Sequence, residues 1–321
     1  MSLLELRSRF RQGAISKADY IRRMAMAHAV LYDYSRFIGQ TDISKIEISS
    51  DGVLITTKAS QVKLFCAAQE RRTAAFEILN FGYCEKPEMA MVLQLVGENS
   101  VFFDIGANMG WYALNLAKLV KGIRVLAFEP IPRTFGLLEG NIGLNGIENI
   151  ETFNFGFSDK EGKVLFYYYP EDSGNASMAN VSGKDDIQTI SCQVRKLDDF
   201  VARRKIGPDF IKCDVEGAEL LVLQGGEQTL AKFKPVVFVE MLRKWSAKFN
   251  YHPNKIIQLF SDLGYQCFAI QNGQLAEVLE VTEATVETNF FFLHPEERAK
   301  AKARSHARVN AMAFIRSHEG N

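Results

Sequence analysis

From residue 101 to residue 295 the sequence alternates short apolar runs with amphipathic stretches, and this alternation limits the fold more than any other feature of the chain. VFFDIG (101–106), RVLAFEP (124–130), IETFNFGF (150–157), FIKCDVEG (210–217), PVVFVEM (235–241), YQCFAI (265–270) and NFFFLHP (289–295) are near-continuous apolar runs. That is the pattern of strands buried on both faces. Between them lie helical patterns from Trp111 to Val120, up to Asn145, from Glu219 to Leu230 and within YHPNKIIQLFSDLGY (251–265). Strands separated by helices predict an α/β fold, a Rossmann-like, doubly wound, mostly parallel sheet covered on both faces.

The flanks obey different rules. ADYIRRMAMAHAVLYDYSRFIG (18–39) has helical spacing and belongs to a helical first forty residues, and KIEISSDGVLITT (45–57) places Asp51-Gly52 between two β-type runs, a hairpin signal. Three segments are therefore expected: an N-terminal helix and hairpin extension over 1–95, the sheet domain over 96–294, and a helical tail over 295–321 rich in Arg, Lys and Ala. KVLFYYYP (163–170) and QTISCQVRKLDDF (188–200) interrupt the alternation as extra strands around the polar loop 171–186, a place for substrate contacts.

The chemistry concentrates at strand ends. Asp104-Ile-Gly-Ala-Asn-Met-Gly110 follows one strand and opens a helix. Gly106 permits a tight turn, Gly110 a close approach of backbone to ligand, and the helix N-terminus offers free N–H groups to an anion. Glu129 ends the next strand, 25 residues after Asp104, where a carboxylate accepts hydrogen bonds from both ribose hydroxyls of a nucleoside. Asp104 stands where a nicotinamide dinucleotide fingerprint has its first glycine. An acid there repels a pyrophosphate and favours the cationic amino-acid end of S-adenosylmethionine, so the latter is the expected cofactor. FIKCDVEGAE repeats the strand-to-helix junction and brings Asp214 and Glu216 to the same sheet edge, with Glu240 beside them. Such carboxylates can orient an acceptor, receive a proton or hold a divalent metal, although one of them can equally cap the following helix.

These motifs resemble the FkbM-type methyltransferases, a branch of the class I Rossmann-like methyltransferases. The resemblance is carried by DIGANMGWYAL, AFEP followed by Asn141 and Asn145, SGNAS (173–177), Leu197-Asp198-Asp199, FIKCDVEGAELLVLQGG and VVFVEM, over roughly residues 100–245. It implies S-adenosylmethionine as cofactor and O-methylation of a sugar, glycan or secondary metabolite. It assigns Asp104, Gly106, Asn108, Gly110 and Glu129 to the cofactor, with Ser158 and Asp159 at its adenine end, and Asp214, Glu216 and Glu240 to the reaction centre. A metal is compatible with those acids but is not expected. An aliphatic hydroxyl needs its proton removed as it attacks, and His252 is the imidazole best placed by sequence. It also precedes Pro253, a good first helical residue, so a capping role competes.

Composition narrows the alternatives. Lys+Arg and Asp+Glu are both 38, giving a formal net charge of zero, which argues against a nucleic-acid partner. Five scattered cysteines without a C-x-x-C pair fit the reduced thiols of a cytoplasmic protein, and no apolar run reaches the roughly 18 residues of a membrane span. The remaining rivals are a nicotinamide oxidoreductase, a methyltransferase acting on protein or nucleic acid, and a module that keeps the fold without the chemistry.

Overall fold

The structure, a computed structural model, describes residues 1–67, 73–169, 172–180 and 187–296. The tail expected to be helical lies, beyond residue 296, outside the described residues, as do residues 171 and 181–186 of the polar loop expected over 171–186; residues 172–177 of that loop form a strand instead.

The first forty residues form two helices, not one. α1 (Leu3–Arg11) and α2 (Lys17–Phe37) are separated because Ser16 takes extended backbone and its hydroxyl accepts the Asp19 N–H, starting a second helix. The hairpin β1 (Ile43–Ser49) and β2 (Gly52–Thr57) turns at Asp51-Gly52 as expected, and β3 (Lys63–Cys66) adds an antiparallel third strand. The helices α3 (Ala74–Phe81) and α4 (Lys86–Leu95) then lead to the central sheet.

β4 (Val101–Ile105), α5 (Trp111–Leu119), β5 (Arg124–Phe128), α6 (Pro132–Asn145) and β6 (Ile150–Phe153) follow in strict alternation. The third apolar run then splits. Its end, β7 (Gly156–Phe157), leaves the central sheet and pairs with β10 in a four-stranded sheet ordered β7-β10-β8-β9, built from β8 (Gly162–Tyr169), β9 (Asp172–Ser177) and β10 (Gln188–Arg195). Next come α7 (Leu197–Arg204), β11 (Phe210–Cys213), α8 (Glu219–Gln224) and α9 (Glu227–Phe233). The single helix expected over Glu219–Leu230 is broken at Gly225-Gly226, where a Cβ on Gly225 would lie 2.1 Å from the Ser158 carbonyl oxygen. β12 (Val236–Glu240), α10 (Arg243–Ser246), α11 (Asn254–Asp262), β13 (Gln266–Gln271), β14 (Gln274–Glu277) and β15 (Asn289–Leu293) complete the order.

The central sheet has the strand order β14-β13-β15-β12-β11-β4-β5-β6. β12, β11, β4, β5 and β6 run parallel, while β15 is inserted antiparallel between β12 and β13. The chain thus has the expected doubly wound α/β architecture. Alternate side chains of β4 separate its two cores. Phe102 shares a core with Trp111, Leu114, Ile55 of β2 and Leu64 of β3, whereas Phe103 and Ile105 share one with Phe128, Phe200 and Leu223. The N-terminal strands therefore share a core with one face of the sheet. Polar bonds fix them there: Asn145 Oδ1 accepts the Lys63 N–H at 2.8 Å, its Nδ2 donates to the Lys63 carbonyl at 2.7 Å, and Asn141 Oδ1 accepts the Phe65 N–H at 3.1 Å. All five cysteines are buried free thiols. Among the described residues no helix is long and apolar enough to cross a membrane.

Candidate active site

The first strand-to-helix turn is held from below. Gly106 sits at φ +76°, and a Cβ there would lie 1.8 Å from the Asp214 carbonyl oxygen, so only glycine lets β4 and β11 release their loops side by side. The N–H groups of Gly106 and Ala107 both donate to the Phe128 carbonyl at 3.0 Å. Gly110, at φ +95°, caps α5. Asp104 is wholly buried. Its Oδ2 accepts the Ala113 N–H at 3.1 Å, in the first turn of α5, and its Oδ1 faces the Lys212 ammonium at 3.8 Å. Burial raises its pKa, and Lys212 opposes that rise. Asp104 thus ties the turn to α5 and to Lys212.

Above this base lies a cleft between the ends of β4, β5, β7 and β11. Glu129 is its acidic group: Oε2 accepts the Asn108 N–H at 3.1 Å and Oε1 the Ile131 N–H at 2.9 Å. Burial lifts its pKa to about 7 against those two bonds. Gly106, Asn108, Asp214 and Glu216 form the rest of the polar wall, while Pro130, Phe157, Phe166 and Met178 make an apolar one. A carboxylate that can accept from ribose hydroxyls at one end, with aromatic and thioether surface at the other, is the lining a nucleoside needs, and the glycine cradle fits the same group. Ser158 and Asp159 lie outside this lining. The Ser158 N–H donates to the Arg195 carbonyl, its hydroxyl donates to Asp159, and Asp159 is exposed.

A second cavity, of about 230 Å³, adjoins the cleft. Asn108, Asp214 and Glu216 line both, so they form the wall between them. Glu240 reaches the second cavity from the end of β12, and Trp245 from α10. The turn that presents Asp214 and Glu216 is held by Glu219, whose Oε1 accepts the N–H groups of Val215 and Gly217 at 3.1 and 2.9 Å. The Tyr251 hydroxyl donates to its Oε2 at 3.1 Å. Glu219 thus braces the loop before α8, whose start has no side-chain cap, so neither Asp214 nor Glu216 caps that helix. The Glu216 carbonyl accepts the Ser177 hydroxyl at 2.6 Å, linking the smaller sheet to this turn. Oxygens of Asp214, Glu216 and Glu240 all lie within 4.8 Å of one another, a spacing a cation can bridge. Burial, then the charges of Asp214 and Glu216, drives the pKa of Glu240 well up. His252 lines neither space: it is exposed, and its Nδ1 accepts the Asn254 N–H at 3.3 Å at the start of α11.

Two contributors escaped the sequence. Lys212 is 5% exposed and its Nζ lies 3.0 Å from Asp214 and donates to the Gly106 carbonyl at 3.0 Å. Burial works against this ammonium, but Asp214, Asp104 and Glu85 together raise its pKa. A lysine inside the apolar run FIKC was its signal, since a buried cation requires acids. Glu85, from the N-terminal extension, had no signal. It enters the second cavity at the start of α4, with φ +41°. Asn108 and Glu216, at φ +51° and +57°, are also left-handed, so three strained non-glycine residues face one cavity. Each such residue costs of order 1–3 kcal/mol, a cost that collects at functional sites.

Comparison with known proteins agrees with this geometry. The family model for the methyltransferase FkbM domain matches residues 104–267. The AMB antimetabolite synthetase AmbE of Pseudomonas aeruginosa is 30% identical over 175 residues, 43% of this chain and 8% of that protein. The 2-O-methyltransferase NoeI of Sinorhizobium fredii is 30% identical over 162 residues, 46% of this chain and 65% of that protein. The hexuronic acid methyltransferase AglP of Haloferax volcanii is 29% identical over 154 residues, 48% of this chain and 61% of that protein. In each case the match spans less than two thirds of the relative's length.

Proposed function

The chain belongs to the FkbM methyltransferase family, and from that premise we propose that it carries the methyl group of S-adenosylmethionine to a hydroxyl oxygen of a sugar, glycan or other small-molecule acceptor. The observation that carries this reading is the pair of adjoining cavities that meet at Asn108, Asp214 and Glu216. One has the Glu129 carboxylate and an apolar wall suited to a nucleoside. The other is lined by acids suited to a hydroxyl and its proton. The names of NoeI and AglP, a 2-O-methyltransferase and a hexuronic acid methyltransferase, support a sugar-like acceptor.

S-adenosylmethionine supplies, when bound, a methyl group on a sulfonium that leaves as a neutral thioether. Glu129 would hold its ribose, Gly106 and Asn108 would border it, and Phe157, Phe166 and Met178 would cover its base. The protein's own work lies across the shared wall. Asp214 and Glu216 orient the acceptor so that its oxygen faces the cofactor cleft, which replaces random encounter by alignment. As the oxygen–carbon bond forms, the hydroxyl proton passes to a carboxylate. Glu240 suits this role because burial and neighbouring acids raise its basicity. Asp104 and Lys212 stay beneath the turn and hold it in place. Titration calorimetry tests the cofactor site: S-adenosylmethionine should bind saturably and NAD should not, and Glu129→Ala should weaken binding at least tenfold. Unchanged affinity in that variant would sink the assignment.

A further inference from the structure

The charge of the second cavity goes beyond what a neutral acceptor needs. Among the described residues five carboxylates line it, those of Glu77, Glu85, Asp214, Glu216 and Glu240, against one cation, Lys212. Lys212 is already engaged: its ammonium lies 3.0 Å from Asp214 and 3.8 Å from Asp104. No ion pair joins Glu77, Glu85 or Glu240 to a basic side chain among the described residues. Burial, followed by repulsion from Asp214, pushes the Glu85 pKa up to about 7. The cavity also holds an unused donor. Trp111 and Tyr112 are 7% and 3% exposed and both line it; the Tyr112 phenol is turned to the Glu85 carboxylate, whereas the Trp111 indole Nε1 has no hydrogen-bond partner among the described residues. Buried polar groups of this kind ordinarily find partners.

Resting on the proposed methyltransferase reading, we infer that the acceptor is an amino-bearing polyol, such as an amino sugar, whose ammonium lies beside the carboxylates of Glu85 and Asp214 and leaves Glu240 to the reacting hydroxyl. One of its hydroxyls accepts a hydrogen bond from Trp111, and the others donate to the remaining acids. Trp111 and Trp245 add aromatic faces that attract an ammonium or a sugar ring. The volume, below the roughly 300 Å³ at which drug-sized pockets begin, suits one ring. The same charges select against acceptors bearing a carboxylate or phosphate, because each like charge brought among them is repelled. A hexuronic acid, the substrate in the name of AglP, is thereby disfavoured here. A divalent ion on Asp214, Glu216 and Glu240 is the competing occupant. The Lys212 ammonium 3.0 Å from Asp214 and the aromatic lining favour the monovalent, organic cation.

The test uses the full chain, with EDTA present, saturated with S-adenosylhomocysteine after S-adenosylmethionine binding has been verified. Glucosamine, galactosamine and mannosamine are titrated against glucose, galactose, mannose and their uronic acids at pH 7. At least one amino sugar should bind tenfold or more tightly than its neutral counterpart, and no uronic acid should bind as well. Glu85→Gln should reduce that preference about tenfold while leaving S-adenosylmethionine affinity unchanged, which also reports that the variant is folded. Equal binding across the panel, tighter binding of an acid, or no binding of any amino sugar overturns the inference while the cofactor result stands. An Mg²⁺ or Mn²⁺ titration, run without EDTA, that saturates and is lost in Asp214→Asn also overturns it. Failure of S-adenosylmethionine to bind at all would instead strike the underlying reading.

Discussion

Lys212 shows how one side chain can hold a whole site. It is buried between Asp104 and Asp214 and donates to the Gly106 carbonyl. Removing one member of a buried charge pair leaves its partners unpaired and costs about 3–5 kcal/mol. Lys212→Met should therefore destabilise the protein by that order, measured by urea unfolding, and a loss below about 1 kcal/mol would contradict the pairing. Glu240 and His252 make a contrasting pair. Glu240→Gln should lower turnover by about 10²–10⁴-fold with cofactor affinity retained, whereas His252→Ala should keep turnover near that of the unmodified protein, because its ring lies outside both cavities. Steady-state kinetics with an acceptor that the unmodified protein methylates distinguishes the two. The legibility of these residues follows their physics. Gly106 and Glu129 stand at fixed offsets from apolar strands, which brings them to the cleft, whereas Gly110, expected beside them, caps α5 and lines neither cavity. Ser158 and Asp159 sit one and two residues past Phe157 in the cleft because β7 turns away into a second sheet, and no local pattern signals that change of partner. Glu85 could not be found from YCEKPEMAM, since it reaches the site through contacts with residues more than a hundred positions away.

At the scale of elements, the attachment of β3 to α6 is the most exposed to test. Asn141 and Asn145 lie one helical turn apart and satisfy three backbone groups of β3, as a neighbouring strand otherwise would. Asn145→Ala strips both bonds from Lys63 and should cost about 1–3 kcal/mol. Hydrogen exchange should show Lys63 and Phe65 losing protection before the central sheet does. Uniform loss across the molecule would mean that the hairpin is not a separable unit. The sequence carried the strands well, because an unbroken apolar run has few alternatives in an α/β chain. It carried helix limits less well. Ser16 and the pair Gly225-Gly226 each divide a continuous apolar pattern, the first by its cap and the second because the Ser158 backbone occupies the space a side chain would need.

The whole molecule carries a surplus of protons at its centre. Burial, against the backbone N–H bonds that oppose it, lifts Glu129 and Glu219 to about 7, and burial reinforced by Asp214 does the same for Glu85. An ordinary glutamate titrates near 4.5. Between those values the folded protein keeps protons that the unfolded chain has released, so stability is fullest below the lower value and declines as pH rises through the upper one. Thermal melts of the ligand-free protein should fall from pH 5 to pH 8, with a shallower slope in Glu129→Gln. A rise over that interval would show that these acids are ionised in the fold.

The wall of Asn108, Asp214 and Glu216 belongs to both cavities at once, and this has a thermodynamic consequence. Whatever occupies one cavity sets the position of atoms that the other must use. The two affinities are then linked, and linkage is reciprocal: the factor by which the first ligand tightens or weakens the second is the factor by which the second alters the first. Such a partition makes the site a comparator, in which each occupant reports on the presence of the other before any bond is exchanged.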